Sequence, residues 1–435
     1  MQAATDLIVV GAGIGGAVLA LALGRRGWKV KLLEREQEPP RIARPEILWS
    51  ATLAALEPLN VADRIRREAS VRVDAVVAAR GDRRLLAIDR EVLDAAGADP
   101  HSTDPAATRA LIAEAALATG NVAVVRGAQV TGLIYQGHTV VGVSGRRDGS
   151  PFEEAATIVV GDDGVHSVVR ESCGILIELE VFPLDFVTAG IEWPDDLAAG
   201  QVRIWMNPAS LRDGIPVIGA FPWPGRRGVV LLPIPHPRAE RLLENSQEHF
   251  WRELAMLTPI GEPLARQLRF PGDFKRVRRP YGHATSYVAG GAAIIGDAAH
   301  PMSPASGQGA NASIWDALAL AQVAHEALAA NDPSRDRLAR YEALRRSSNE
   351  ASVRISRRAA RILATASRLP ALEWLVPTAL RLVDRAVWFK RRFLSAAAST
   401  FVTRETMPSA QSAESQRIST APDPDGQRLG RGRDG

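Results

Sequence analysis

Gly11, Gly13 and Gly16 stand as GxGxxG between the apolar run DLIVV and the helical stretch AVLALALGRR. The first glycine permits a tight turn, the second lets a pyrophosphate reach the backbone, and the third lets helix and strand pack closely. The helix start, with Ile14 and Gly15 in its first turn, offers free N–H groups and a positive dipole end to phosphate oxygens. Glu34, followed by Arg35, ends the next predicted strand, WKVKLLE. A carboxylate at that point accepts hydrogen bonds from ribose hydroxyls and repels a 2′-phosphate. Glycine turns alone join many strands to helices. Strand, turn, helix and Glu34 together read as a dinucleotide site, and their spacing leaves flavin and nicotinamide dinucleotides equally open.

Two later segments separate these. GDDGVHSVVR spans Gly161–Arg170, and GDAAHPMSPASGQGANASIWDA spans Gly296–Ala317. With the first cradle, they make the chain resemble the FAD-dependent aromatic hydroxylases, the group A flavoprotein monooxygenases. That family's pattern is GxGxxG, a mid-chain DG motif, and a late GDAAHxxxPxxGQGxN, and all three occur in order over residues 5–330. The resemblance implies FAD as cofactor, with Gly296 and Asp297 at a strand end where the carboxylate accepts from the ribityl chain. It places Pro304, Gly307, Gly309, Ala310 and Asn311 as the loop and helix start facing the flavin pyrimidine ring. Backbone N–H groups there would stabilise the anionic reduced flavin. Arg44, in ARPEILWSATLAAL, and Arg109, in TRALIAEAA, would lie near the pyrophosphate and ribityl chain, and Val130 and Asp163 complete the expected cofactor set. Asp163 and Arg170 would hold loops around FAD, and His300 is expected to be structural. Taken singly, Asp297 reads equally as a helix cap, the glycines as turn residues, and the two arginines as surface cations. The family often has Glu-Asp where this chain has Trp315-Asp316, so packing behind the flavin is expected to differ.

A single dinucleotide fold is expected, with no second GxGxxG. The resemblance therefore implies NAD(P)H as a transient co-substrate that reduces the flavin and leaves. O₂ then adds at carbon 4a, and the hydroperoxide oxygenates an electron-rich substrate. No residue is assigned as nucleophile, acid or base. Trp205, Met206, Phe221 and Trp223 are candidates to line an apolar pocket for an aromatic or polyketide-like substrate, although aromatics at such spacing more often form plain core. Two other readings keep the cradle: a reductase of unsaturated isoprenoids, and a non-catalytic flavin-binding partner protein. The WxWxIP motif of flavin halogenases is not found; FPWPG is not that motif.

The elements that must position these residues follow from periodicity. Strand, helix and strand over residues 6–34 demand a parallel sheet. Further helical patterns fall at Leu53–Arg67, Ala106–Ala118 and Ala310–Leu328, and strands at NVAVVRGAQVTGLIY, TVVGVSG, ATIVVG and GGAAIIG. Between residues 175 and 275 the pattern changes to short apolar or alternating runs bounded by Pro, Gly and Asp, which predicts a mostly antiparallel sheet. The expected fold is α/β: a Rossmann-like, glutathione-reductase-type FAD-binding domain (1–70, 101–174 and 276–330) with an inserted β-sheet substrate domain (175–275, with 71–100 contributing). C-terminal helices (331–403), interrupted by Pro370 and Pro377, and a disordered polar tail (404–435) complete it.

The single cysteine excludes an internal disulfide framework and, with no evident signal peptide, suggests a cytoplasmic protein. No apolar run is long enough to span a bilayer. The net charge of +4 draws largely on late arginines, which read as a solvated helical face, and no nucleic-acid partner is expected. Leu372, Leu375, Ala379, Leu380, Val383 and Val387 recur at helical spacing ahead of Lys390, Arg391 and Arg392. This C-terminal helix suits packing on the FAD domain, or contact with a membrane surface.

Overall fold

Leu7–Val10 and Ile158–Gly161 are four-residue apolar runs buried throughout. Such strands belong in the middle of a parallel sheet covered by helices on both faces. They pair with each other, and Val30–Glu34 lies along the other side of Leu7–Val10. The six-stranded sheet runs Val288–Ala289, Ala292–Ile294, Ile158–Gly161, Leu7–Val10, Val30–Glu34 and Val122–Arg126. It is parallel except for the hairpin at the Val288 edge. Chain order reverses about Leu7–Val10, and a crevice opens at such a point beyond the strands' carboxyl ends.

The structure, a computed structural model, describes residues 5–38, 43–181, 184–207, 217–244, 246–278, 280–304, 307–366 and 372–399. The tail expected over 404–435 lies outside them. Helix Ile14–Gly24 is buried along its whole length, packed beside Pro105–Leu117 and Gly309–Ala329. Its small residues permit that closeness: a Cβ at Gly15 would collide with Ser313 of the neighbouring helix. The pattern read as one helix over Leu53–Arg67 is broken into short turns around Pro58 and Asn60, whose φ is 58°.

A second, seven-stranded sheet runs Lys275–Val277, Leu184–Glu192, Arg227–Pro235, Val217–Trp223, Gln201–Met206, Ala75–Arg80 and Arg83–Ile88. All its pairs are antiparallel except Gln201–Met206 with Ala75–Arg80. One face is covered by helices His236–Glu244, Gln247–Leu257 and Gly261–Gln267, which the predicted all-sheet segment did not include. Phe250, Leu254 and Leu264 from them meet Val187, Ile218 and Val230 in one core. The other face turns to the first sheet's module. Arg227 Nη2 lies 3.1 Å from the Asp104 carboxylate, and a Cβ at Gly190 would come within 3.6 Å of Ala43.

C-terminally, Arg335–Ala366 forms one long helix, followed by Leu372–Arg385 and Val387–Ser399. Pro377 lies inside Leu372–Arg385 and does not interrupt it. Several of the late arginines are paired rather than merely solvated: Arg337 with Asp332, Arg340 with Glu326, Arg357 with Glu180. Among the described residues, no helix is long and apolar enough to cross a membrane.

Candidate functional site

The three motifs meet at the carboxyl ends of the central strands. Gly11 has a φ of +94°, and a Cβ there would overlap the Asp162 carbonyl. At Gly13 it would overlap the Asp162 carboxylate, which also accepts the Gly16 N–H at 2.7 Å. Asp162 thus braces the first glycine turn from the neighbouring strand, a role the sequence reading had not assigned. Burial, with Asp163, Asp297 and Asp316 nearby, pushes its pKa well above the usual range against the Gly16 hydrogen bond. Asp163 instead accepts the Val169 N–H at 3.3 Å in the first turn of the short helix Val168–Ser172, which Ser167 caps. Arg170, buried, donates to the Ala298 carbonyl at 3.0 Å and ties the mid-chain motif to the late one.

Glu34 accepts from the Ala12 and Glu36 N–H groups at 3.1 and 3.0 Å, so it shapes the turn it follows. Arg35 is exposed and pairs with Glu36. Arg44 and Arg109 come together beside Glu46, with Glu34 and Asp162 close enough to act on Arg109. Burial lowers the Arg109 pKa, and the neighbouring Arg44 lowers it further. Two guanidinium groups held in each other's field at the cradle suit an anion between them. Val130 is buried in strand Ala128–Gln136, opposite Gly145.

Gly296 and Asp297 start a single 3₁₀ turn after strand Ala292–Ile294. Asp297 is the one residue from Gly291 to His300 that is not buried. Past Pro304, the Gly307 N–H returns to the Pro304 carbonyl at 3.1 Å, and Gly307 has a φ of +61°. Asn311 is fully buried. Its amide donates to the carbonyls of Ile47 and Gly307 and accepts the Trp49 N–H, which fixes the loop to strand Glu46–Leu48. Helix Gly309–Ala329 begins at Gln308 with no side-chain cap.

Behind this turn lies a buried ionic cluster. One Asp316 oxygen accepts His300 Nε2 at 2.5 Å and the Gly296 N–H at 3.1 Å; the other accepts Arg345 Nε and Asn349 Nδ2, both at 2.9 Å. Burial opposes ionisation of Asp316, yet His300 and Arg345 hold its carboxyl far below the usual range. His300 is spent on Asp316 within the fold. Trp315, at the family's acidic position, is fully buried and donates to Thr52 Oγ1 at 3.2 Å, so it packs behind the loop helix.

Close by, Tyr287 Oη is 2.7 Å from His283 Nε2. Burial, reinforced by His300 and Arg346, pushes His283 down from 6.5 to about 4. Below the unfolded value the unfolded chain takes a proton that the native chain refuses. The stability present above that value is therefore lost as pH falls toward the folded one. Urea midpoints should fall between about pH 7.5 and about pH 5, and His283→Gln should flatten that slope. An unchanged slope in the variant would reject His283 as its source.

The four aromatic and apolar candidates divide by face. Successive strand residues point to opposite sides of a sheet. Trp205 pairs with Ile218 on the helix-covered face, in the core. It borders a cavity of about 470 Å³, with Arg203, Val77 and Asp196, away from the three motifs. Met206, Phe221 and Trp223 share the face turned to the cradle module, along with Arg227 and Leu231. Leu231 packs on Leu184, Phe186 and Tyr281, and the adjacent Gly282 N–H donates to Pro301 at the loop's start. Thr188 Oγ1 and Trp223 Nε1 are buried there without a partner among the described residues.

A family model described as FAD binding domain matches residues 4–356. The chain belongs to the family of FAD-dependent aromatic monooxygenases. The flavoprotein is 29% identical over 385 residues to a 6-methylpretetramide 4-monooxygenase of Streptomyces rimosus, covering 88% of this chain and 89% of that one. It is 30% identical over 359 residues to a kynurenine 3-monooxygenase of Xanthomonas oryzae pv. oryzae, covering 78% and 75%. Its fold matches p-nitrophenol 4-monooxygenase PnpA of Pseudomonas putida with a TM-score of 0.73, at 19% identity over 93% of this chain and 100% of that one. The site fits FAD on its own geometry. The glycine turn is closed to side chains, the cradle helix has no side-chain cap, two arginines flank it, and Asp297 is accessible at a strand end.

Proposed function

We propose that the flavoprotein hydroxylates or epoxidises an apolar, aromatic or polyketide-like small molecule, with NAD(P)H as reductant and O₂ as oxygen source. Bound FAD supplies the two-electron chemistry and the activation of O₂. The glycine turn, with Arg44 and Arg109, holds the pyrophosphate; Asp297 holds the ribityl chain; Gly309, Ala310 and Asn311 present the helix end to the flavin ring. The observation that carries this reading is the apolar sheet face, with Met206, Phe221, Phe186 and Leu231, turned toward the module where the three motifs meet. Such a face excludes water from the reacting centre and favours a flat apolar substrate. The buried Thr188 hydroxyl and Trp223 N–H suit one or two polar atoms on that molecule.

An oxygen electrode tests it. NADH or NADPH oxidation is followed against phenols, polyketide aromatics and unsaturated isoprenoids. Substrate-stimulated O₂ uptake with little H₂O₂ is the expected result. Turnover that persists without O₂ would instead identify a reductase, and a flavin-loaded protein inert across the panel would identify a non-catalytic partner.

A further inference from the structure

On the last two helices the apolar side chains point the wrong way for a packed core. Leu375, Leu382, Trp388, Phe389 and Phe393 are exposed, Trp388 at 69% and Phe393 at 60% of full accessibility. Lys390, by contrast, is turned inward, donating to the Ala87 carbonyl at 2.9 Å beside Asp384. The inner face of Val387–Ser399 carries Leu394 and Ala398, which pack on Val92 and Leu93. Trp388, Phe389, Arg392 and Phe393 fall at i, i+1, i+4 and i+5, one continuous stripe, and Leu375, Leu382 and Arg385 are exposed on one side of Leu372–Arg385. Packing against the FAD domain does not account for this stripe, because the stripe faces away from it.

We propose that this outward face docks the flavoprotein on a bilayer carrying anionic headgroups. Charge selects that occupant. Arg385 and Arg392 are exposed within the apolar stripe, while Arg391, at its margin, pairs with Glu91 at 4.0 Å. Among the described side chains from Leu375 to Ser399, Asp384 is the one carboxylate. It is spent inward on the Ala87 N–H at 2.8 Å and on Lys390. Aromatic rings at the acyl boundary with arginines reaching headgroup phosphates is the arrangement of an interfacial helix. A two-fold dimer through this face would bring together two faces of the same net positive charge. The helices also border the site: Leu372–Arg385 packs on strand Arg83–Ile88 of the substrate-side sheet, and Gln308 of the flavin loop reaches the Ala397 carbonyl at 3.5 Å. Docking here would bring the substrate side of the protein to the lipid surface.

Co-sedimentation of the FAD-loaded protein with vesicles tests the proposal without any turnover, so its failure leaves the monooxygenase reading standing. Wild type should pellet with phosphatidylcholine vesicles containing about 30% phosphatidylserine and far less with phosphatidylcholine alone. Trp388→Ser with Phe393→Ser should weaken partition by about a hundredfold, roughly tenfold per ring. Arg385→Glu with Arg392→Glu should remove the preference for anionic lipid. These positions are exposed, so flavin absorbance should be unchanged and report an intact fold. Wild type that stays in the supernatant with anionic vesicles would overturn the proposal. So would a concentration-dependent dimer, seen by sedimentation velocity, that the double serine variant abolishes while vesicle binding is absent; that result would give the face to a second copy.

Discussion

Gly13→Ala should weaken FAD binding, and Asp162→Ala in the same chain should restore much of it. Gly13 has a φ of −68°, which any L-residue adopts, so the alanine methyl acts through space and not through the backbone. The three nearest atoms to that methyl all belong to the Asp162 carboxyl group. This carboxyl cannot swing away freely, because it is buried and holds the Gly16 N–H at 2.7 Å. Relief requires the strand end and the glycine turn to part, which opens the cradle itself. Overpacking of this kind costs about 1–3 kcal/mol, so FAD should bind about tenfold to a hundredfold more weakly. Titrating apoprotein with FAD and following the quenching of flavin fluorescence measures this. Gly13→Ala binding as tightly as wild type would refute the cradle geometry. A double variant no tighter than Gly13→Ala would mean that the methyl blocks the ligand and not Asp162. Gly11→Ala should resist such rescue, since its φ of +94° and the backbone carbonyl of Asp162 both exclude a side chain.

What the sequence revealed and concealed follows from how each signal is carried. The glycine turn, the strand before it and the helix after it are local, and their periodicity survives reading in isolation. GDDG offers two adjacent carboxylates, and the family pattern names Asp163; the pleat of the strand decides that Asp162 faces the glycine turn. Trp205 and Met206 were both candidates for the pocket, yet neighbours on a strand cannot share a face, and that rule was available from spacing alone. Helices over His236–Gln267 stayed hidden behind Pro259 and Pro263, although Phe250, Leu254 and Leu257 recur at helical intervals. Least legible was the stripe Arg345, Asn349, Ser352 and Ser356, all with no exposed surface. A polar stripe at helical spacing reads as solvated, and only a long-range partner such as Asp316 reverses that reading.

That partner carries the second large effect. Asp316→Ala should lower the denaturation midpoint sharply and free FAD, and Asp316→Asn should do both to a smaller extent. Removing the carboxylate takes from the fully buried Arg345 its Asp316 ion-pair partner, and takes His300's partner as well. Breaking a buried ionic pair from one side costs about 3–5 kcal/mol, far more than an exposed pair. The cofactor follows because the oxygen that meets His300 also accepts the Gly296 N–H at 3.1 Å, and Gly296 sets the turn that presents Asp297. Asparagine keeps an oxygen for that N–H, and alanine does not, so the order of the two variants reads the turn separately from the charge. Acid acts in the same direction on wild type. The Asp316 carboxyl is held below its unfolded value, so its stabilisation is present above the ordinary carboxylate range and fades as pH falls below it. A double variant Asp316→Leu/Arg345→Met should recover part of the midpoint lost in Asp316→Ala, since no buried guanidinium remains. Equal midpoints and equal FAD affinity in wild type and Asp316→Asn would show that the cluster only fills space, and that the Gly296 turn stands without it.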